Sequence, residues 1–395
     1  MQRIGICGGT FDPFHNAHFE LVKAAAASGK IDRLLVIPAG SPPHKQDDKV
    51  MPAVFRYEMT RRAIKGLPDT EAVDIEITRP GKSYTIDTVN LIKEKFGRDV
   101  SISLIYGTDI LFDIEKWHKP QEIMHEATLL LAYRLGDDRK KIRNQTNYLT
   151  EKYKAVIEFF TAPEIELSST QVRSLIRREL PWQHLVPDTV ALFIQRQDFY
   201  RFADDLNKIS PEEWIELCGL ERKLWPFLTK KRLLHSANVM LYAIHLANLY
   251  GEPAFQAAQA ALLHDCAKCL DRDQLLSYAM EAGDQLLLQD ELAHGPAGAV
   301  MAKNIFGIND PSILKAIHYH TTGYGHMSIL DKLIYLTDKI EYGRLYDDLD
   351  PIREAAEYDL DKAMRICLNE VEMYLRRSNQ LTHPYAQAAI RQVSV

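Results

Sequence analysis

In the first half of the chain, short apolar runs alternate with segments of helical period. RIGIC (3–7), RLLVIPA (33–39), SISLIYG (101–107), ATLLLAYR (127–134) and AVIEFF (155–160) have the pattern of buried strands. Residues 16–28, 52–66 and 84–96 carry helical spacing between them. Strand and helix alternating at this interval predict a parallel sheet covered by helices on both faces. In such sheets ligands bind outside the carboxyl ends of the strands. Gly8-Gly9, Pro38-Ala39-Gly40 and Gly107-Thr108-Asp109 each follow a strand, so they point to one site. Past residue 200 the strand pattern stops. Helical period then runs through 212–224, 230–250, 253–268, 272–282, 294–306, 310–319, 328–342 and 359–377. Ser210-Pro211-Glu212-Glu213 opens this half as a capping box. The expected layout is an α/β domain over 1–200, a linker over 201–211 and an all-α domain over 212–395.

Composition and charge narrow the classes. The chain has 395 residues, 46% hydrophobic and 26% charged, which excludes a disordered chain. No apolar stretch approaches the ~18 residues of a membrane span, and MQRIGICGGTFDP lacks a signal-peptide core. The expected compartment is the cytoplasm. Residues 1–200 carry 28 basic and 27 acidic groups, and the remainder carries 20 and 27. Neither half has the basic excess of a nucleic-acid binder, and the difference between them suggests a fusion. Five scattered cysteines imply no disulfide framework. Cys266 and Cys269 form a C-x-x-C pair, but the second pair of a zinc ribbon is missing and the segment reads as helix.

The first candidate site is GGTFDPFHNAH (8–18). Gly8, Gly9 and Thr10 allow close backbone approach to a ligand, and the following helix N-terminus favours an anion. His15 and His18 share one face of the first helical turn. SPPHK (41–45) adds Lys45 in a proline-stiffened loop. LSSTQVRSLI (167–176) adds Ser168, Ser169 and Thr170 at a helix start, with Arg173 one turn on. The first string resembles the (H/T)xGH signature of the nucleotidyltransferase superfamily, although Asn16-Ala17-His18 lacks the usual glycine. With KSYTIDTV (82–89), YGTD (106–109) and EKWHKPQEI (115–123), residues 1–198 resemble bacterial nicotinate-mononucleotide adenylyltransferases. The resemblance implies a Rossmann-like nucleotidyltransferase fold and adenylyl transfer from ATP, brought with magnesium, to nicotinate mononucleotide. It also implies nicotinate contacts from Tyr84, Thr85 and Trp117 and a nucleotide contact from Asp109. Phosphopantetheine adenylyltransferases share the TFDP…GH start but are not expected to carry the SYTIDT and KW segments.

The helical half holds eight histidines, of which His235, His264, His294 and His320 combine with Asp265 and Asp338 in the order H…HD…H…H…D. Histidine with carboxylate suits iron, manganese or zinc. That order resembles the HD-domain phosphohydrolases. KRLLHS, LLHDCAK, AHGPAGA, IHYHTTG and YLTDKIEYGR resemble the bacterial HD-domain family of symmetrical diadenosine-tetraphosphate hydrolases. The resemblance implies two metal ions, iron foremost with manganese or zinc as alternatives, bridged by Asp265. It aligns His320, not His318, with the motif. Lys268 and Arg344 are the candidate phosphate contacts, and Tyr342 stands where the family more often has proline. The expected protein is a bifunctional enzyme without a nucleic-acid or membrane partner, with homo-oligomerisation open. The competing readings are a nucleotide-sensing HD module without turnover, or an HD phosphohydrolase of another nucleotide.

Overall fold

The computed structural model describes all residues except 1, 42–48, 134–135, 345–348 and 394–395. It divides into two compact units, Met1–Gln195 and Arg196–Val395.

Among the described residues the first unit holds six strands, all parallel: β1 (Arg3–Gly9), β2 (Arg33–Pro38), β3 (Thr70–Ala72), β4 (Ser101–Gly107), β5 (Thr128–Tyr133) and β6 (Ile157–Thr161). Their order is β3-β2-β1-β4-β5-β6, so the winding reverses between β1 and β4. A crevice at the carboxyl ends of these two strands is where such sheets take ligands. The helices are α1 (Asn16–Ala27), α2 (Ala53–Ala63), α3 (Ile75–Thr78), α4 (Thr85–Phe96), α5 (Pro120–Glu126), α6 (Arg139–Tyr153), α7 (Ser169–Arg177) and α8 (Asp188–Gln197), the last running across the division. One core cluster joins Ile4 and Ile6 of β1, Leu104 of β4 and Leu129 of β5 with Ile86, Val89 and Ile92 of α4. Burying a side chain of this size contributes about 1.5–3 kcal/mol. The sequence pattern missed β3, whose Thr70-Glu71-Ala72 is a half-buried edge with no apolar run. It also missed α6, in which only Ile142 and Leu149 are buried among fifteen residues.

The second unit is helical: α9 (Pro211–Leu224), α10 (Lys230–Tyr250), α11 (Ala254–Leu263), α12 (Arg272–Glu281), α13 (His294–Asn304), α14 (Pro311–Tyr319), α15 (Ile329–Ile340), α16 (Asp350–Ala356), α17 (Leu360–Arg377) and α18 (Pro384–Val393). Ser210 accepts from the Glu213 amide, the expected capping box. The segment 201–211, read as a linker, is folded into this unit. Phe199–Phe202 and Asp205–Lys208 form short 3-10 turns, and Phe199, Phe202, Leu206 and Ile209 are buried. The helix expected over 253–268 ends at Leu263. There the Cys266 and Lys268 amides bond back three residues, to Leu263 and Asp265, and tighten the chain into turns. His264 and Asp265 therefore sit at a helix end rather than inside a helix. Among the described residues no helix is long and apolar enough to cross a membrane.

Candidate active sites

In the first unit, β1 delivers Gly8 and Gly9 to the opening of α1. A Cβ on Gly9 would lie 2.6 Å from the Phe11 ring, so this turn excludes a side chain. His15 is the N-cap residue of α1, and His18 Nδ1 accepts from the His15 amide at 3.2 Å. The two rings stack with centroids 3.6 Å apart, and His18 packs edge-on against Phe11. His15 is 4% exposed, and its Nδ1 is buried without a hydrogen-bond partner. Burial pushes the His15 imidazolium down to about 4, so at neutral pH the ring is an uncharged hydrogen-bonding group.

The helix α7 arrives at this loop from far along the chain. Arg173 Nη1 donates to the Asp12 carbonyl at 2.6 Å, across 161 residues. Ser169 Oγ donates to the Pro13 carbonyl at 3.0 Å. Ser168 caps α7, in a reciprocal box with Gln171, and Thr170 Oγ1 accepts from Arg173 Nη2 at 3.4 Å. The structure thus brings Gly8, Gly9, Thr10, His15, His18, Ser168, Ser169, Thr170 and Arg173 together. The hydroxyls of Ser168 and Ser169 are already engaged within the protein. Asp109 lies exposed in the 3-10 turn that follows β4. Lys45 falls outside the described residues.

An aromatic group flanks the glycine turn. Tyr84 stacks on His118 at 4.2 Å, and Tyr106 meets Trp117 edge to face at 5.4 Å. The Tyr106 hydroxyl is 3.5 Å from where a Gly8 Cβ would stand, and Thr85 hydrogen-bonds the same tyrosine. Tyr84, Thr85 and Trp117 were anticipated; Tyr106 and His118 were not, although both lie within the quoted motifs. Ser83, from the same segment, accepts from the Gly40 and Ser41 amides at 3.0 and 3.1 Å. Gly40 is obligatory there, since a Cβ would sit 2.1 Å from the Glu76 carbonyl. Sequence reading missed Arg56 as well. Its guanidinium, in a residue 2% exposed, donates to the carbonyls of Thr10, Ala39 and Met51.

In the second unit six side chains from α10, the α11 end, α13, the α14 end and α15 converge. His235 Nε2 lies 3.0 Å from Asp338 Oδ1, and His264 Nε2 lies 3.6 Å from the same oxygen. His294 and His320 point their Nε2 atoms at Asp265 Oδ1, 3.5 and 3.6 Å away. Three overlapping triads of these six residues each have ligand atoms within 4.8 Å of one another. His264, Asp265, His294, His320 and Asp338 are buried. His264 Nε2 is itself buried without a hydrogen-bond partner. A buried, unsatisfied ring nitrogen aimed at two carboxylates is costly unless something polar or cationic faces it. The donor set therefore fits divalent ions. His318, by contrast, turns to Asp284 at 3.3 Å.

Protonation suits that fit at Asp265, Asp338, His294 and His320; at His235 burial is outweighed by the hydrogen bonds to Asp338 and Glu341, which raise the ring to about 9, so it gives up a proton to bind a metal. Burial opposes charge on Asp265, but the neighbouring His264 and His320 rings outweigh it, and the carboxyl stays well below its usual range. Asp338 is likewise held well below, with burial overcome by Lys339 and by His235 and His264. Burial keeps His294 and His320 below the usual histidine range. Anionic carboxylates and neutral imidazoles are what metals bind. Cations ring the cluster: Arg232 Nη1 is 2.9 Å from Asp265 Oδ2, Arg344 Nη2 is 3.0 Å from Asp338 Oδ1, and Lys268 Nζ is 3.1 Å from both His294 ring nitrogens. Arg232 was absent from the sequence-based set; its signal was its place one turn before His235.

The chain matches the cytidylyltransferase-like family over residues 6–175 and the HD domain over residues 232–343. It is 35% identical over 199 residues, 50% of this chain and 94% of the relative, to a probable nicotinate-nucleotide adenylyltransferase of Thermoanaerobacter sp. strain X514. A second such protein, from Clostridium botulinum strain Alaska E43, is 34% identical over 201 residues, 51% of this chain and 99% of its own length. A crystal structure from Clostridium acetobutylicum, described as a predicted HD superfamily hydrolase involved in NAD metabolism, is 34% identical. It covers 45% of this chain and 95% of its own, with a TM-score of 0.43.

Proposed function

The chain belongs to the nicotinate-nucleotide adenylyltransferase family through its first half and carries an HD domain in its second, and from that premise we propose a bifunctional nucleotide enzyme. The first unit transfers the adenylyl group of ATP to nicotinate mononucleotide, giving deamido-NAD and pyrophosphate. The observation that supports it is the meeting of the glycine turn, the His15–His18 stack and the start of α7 beside the Tyr84, Tyr106, Trp117 and His118 rings. Amides, neutral imidazole and Arg173 suit a triphosphate, and flat rings suit a pyridine. The 5′-phosphate attacks the α-phosphorus in line, so the chain's task is to orient both phosphates and stabilise their charge. Asp109 then serves the nucleotide and Tyr84, Thr85 and Trp117 the nicotinate. Lys45 is a further phosphate contact by the family resemblance. Magnesium arrives with ATP.

The HD unit is a metal-dependent phosphohydrolase whose substrate in this reading is diadenosine tetraphosphate, cut symmetrically into two ADP. The complete set of four histidines and two aspartates, all but His235 buried, supports turnover over sensing alone. His235, His264 and Asp338 would hold one ion and His294 and His320 another, with Asp265 serving both. Bound divalent ions polarise phosphoryl oxygens and activate water. Arg232, Lys268 and Arg344 stand at the rim to meet phosphate oxygens. Product analysis of the whole chain tests both halves, first with ATP plus nicotinate mononucleotide, then with diadenosine tetraphosphate and added iron or manganese. His18→Ala is expected to remove most of the first reaction and spare the second. A folded His18→Ala protein with unchanged transfer ends the first assignment, and no ADP from the tetraphosphate ends the second. A panel of other nucleotides then separates a different HD substrate.

A further inference from the structure

Three of the four clustered histidines hand their Nδ1 atom to an acceptor. His264 donates to the Ala261 carbonyl at 2.6 Å and His320 to the Ile317 carbonyl at 2.7 Å. A carbonyl only accepts, so Nδ1 carries the hydrogen and Nε2 presents its lone pair to the cluster. His235 differs. Its Nδ1 faces a carboxylate, Glu341 Oε1, at 3.1 Å, while Nε2 faces Asp338. Glu341 is 3% exposed, and a buried carboxylate carries a desolvation cost that a carbonyl partner would avoid.

The carboxylate is held in place from several sides. Glu341 stands at the C-cap of α15, three residues past Asp338, and its backbone turns extended (φ −55, ψ 151). Its Oε2 accepts from the Gly343 amide. A Cβ at Gly343 would fall 2.8 Å from that oxygen, 2.8 Å from Asn238 Nδ2 and 2.6 Å from Gln197 Oε1, so any side chain there would displace the groups around Glu341. Arg353 Nη2 donates to the Glu341 carbonyl at 3.0 Å and Arg353 Nε to that of Ile340 at 2.8 Å.

We propose that Glu341 is a positioning residue for His235: it fixes the ring orientation and tautomer and, as an anion, makes His235 a stronger donor than the carbonyl-backed histidines. This rests on reading the histidine–aspartate cluster as a metal centre. Glu341 does not reach His294 or His320, whose Nε2 atoms face Asp265 instead. Its loss therefore weakens one ion and not the other.

The test uses the full chain, stripped with chelator and titrated with Mn²⁺ alone, with free Mn²⁺ read by its EPR signal. Wild type is expected to take two ions per chain. E341Q keeps the size and an acceptor oxygen but loses the charge. It should bind one ion about 10–100-fold more weakly and leave the other unchanged. E341A should weaken the same ion further, whereas a purely packing role would leave the isosteric E341Q as tight as wild type. If E341A does not fold, the isosteric E341Q decides. Wild type that takes up no Mn²⁺ overturns the metal reading itself. Wild type with two ions, and E341Q with both equally tight or both equally weakened, overturns the role of Glu341 alone.

Discussion

Replacing Arg56 tests how the glycine turn of the first unit is held. The side chain is 2% exposed and donates at 3.0 Å to Thr10, at 2.6 Å to Ala39 and at 2.9 Å to Met51, three carbonyls on segments following β1, following β2 and preceding α2. Arg56→Ala leaves these acceptors unpaired. A buried group stripped of its partner costs about 1–3 kcal/mol, and the three are coupled, so a total of roughly 3–6 kcal/mol is expected. That is a large part of the ~5–15 kcal/mol that stabilises a typical domain. Arg56→Lys keeps the charge but not the planar fork. It should retain the fold at a cost of about 2 kcal/mol and raise KM for ATP, because the Thr10 segment shifts. The assay is a urea titration read by loss of adenylyl transfer, with steady-state kinetics for ATP at low urea. Arg56→Ala within 1 kcal/mol of wild type, with unchanged KM, would refute the reasoning.

Three further outcomes follow from the geometry. His15, held near 4 by burial, should leave no step between pH 5.5 and 8 in the transfer rate. The unfolded ring binds its proton at about 6.5 and the folded one only near 4, so stability is present above 6.5 and falls as pH drops, by up to about 3 kcal/mol; His15→Gln should flatten that loss in an acid titration. Asp265→Ala should lose Mn²⁺ and tetraphosphate hydrolysis together, whereas His318→Ala, whose partner is Asp284, should keep both by metal analysis and turnover. His245 bridges Asp205 and Glu357 at 2.9 Å each; burial pushes its imidazolium down, but the two hydrogen bonds outweigh this and the net shift is upward. Its stabilisation is therefore full below the ordinary histidine range and lost as pH rises through the raised value. His245→Gln should cost about 1–3 kcal/mol at pH 6 and less at pH 9 in paired urea titrations, and an equal cost at both would sink this reading.

Legibility followed the distance over which a feature is decided. Strands β1, β2, β4 and β5 were readable because they are buried on both faces and so run as unbroken apolar stretches. β3 is three half-buried edge residues, and α6 buries only Ile142 and Leu149 among mostly polar side chains, so neither leaves a pattern. The end of α11 was misread by five residues, because helical period continues through His264 and Asp265 while the backbone tightens into turns. Of the site residues, His15 and His18 were legible because one helical turn makes them neighbours. Arg56 was not, since an arginine inside MPAVFRYEM reads as a solvated helix residue until three carbonyls are seen around it.

The sequence by itself determined most of the elements, the two-part layout and the local constellations: glycines after β1, serines capping α7 and α9, histidine beside aspartate at 264–265. These depend on periodicity and on contacts within a turn or two, which chain spacing alone sets. Only the tertiary structure decided that Arg173 meets Asp12 across 161 residues, and that His235, His264, His294 and His320 face two carboxylates from separate helices. The same packing set what the side chains are: a neutral His15, an ionised Asp265, a His235 backed by Glu341. Protonation and tautomer are properties of burial and of neighbours, and the neighbours exist only once the chain has folded.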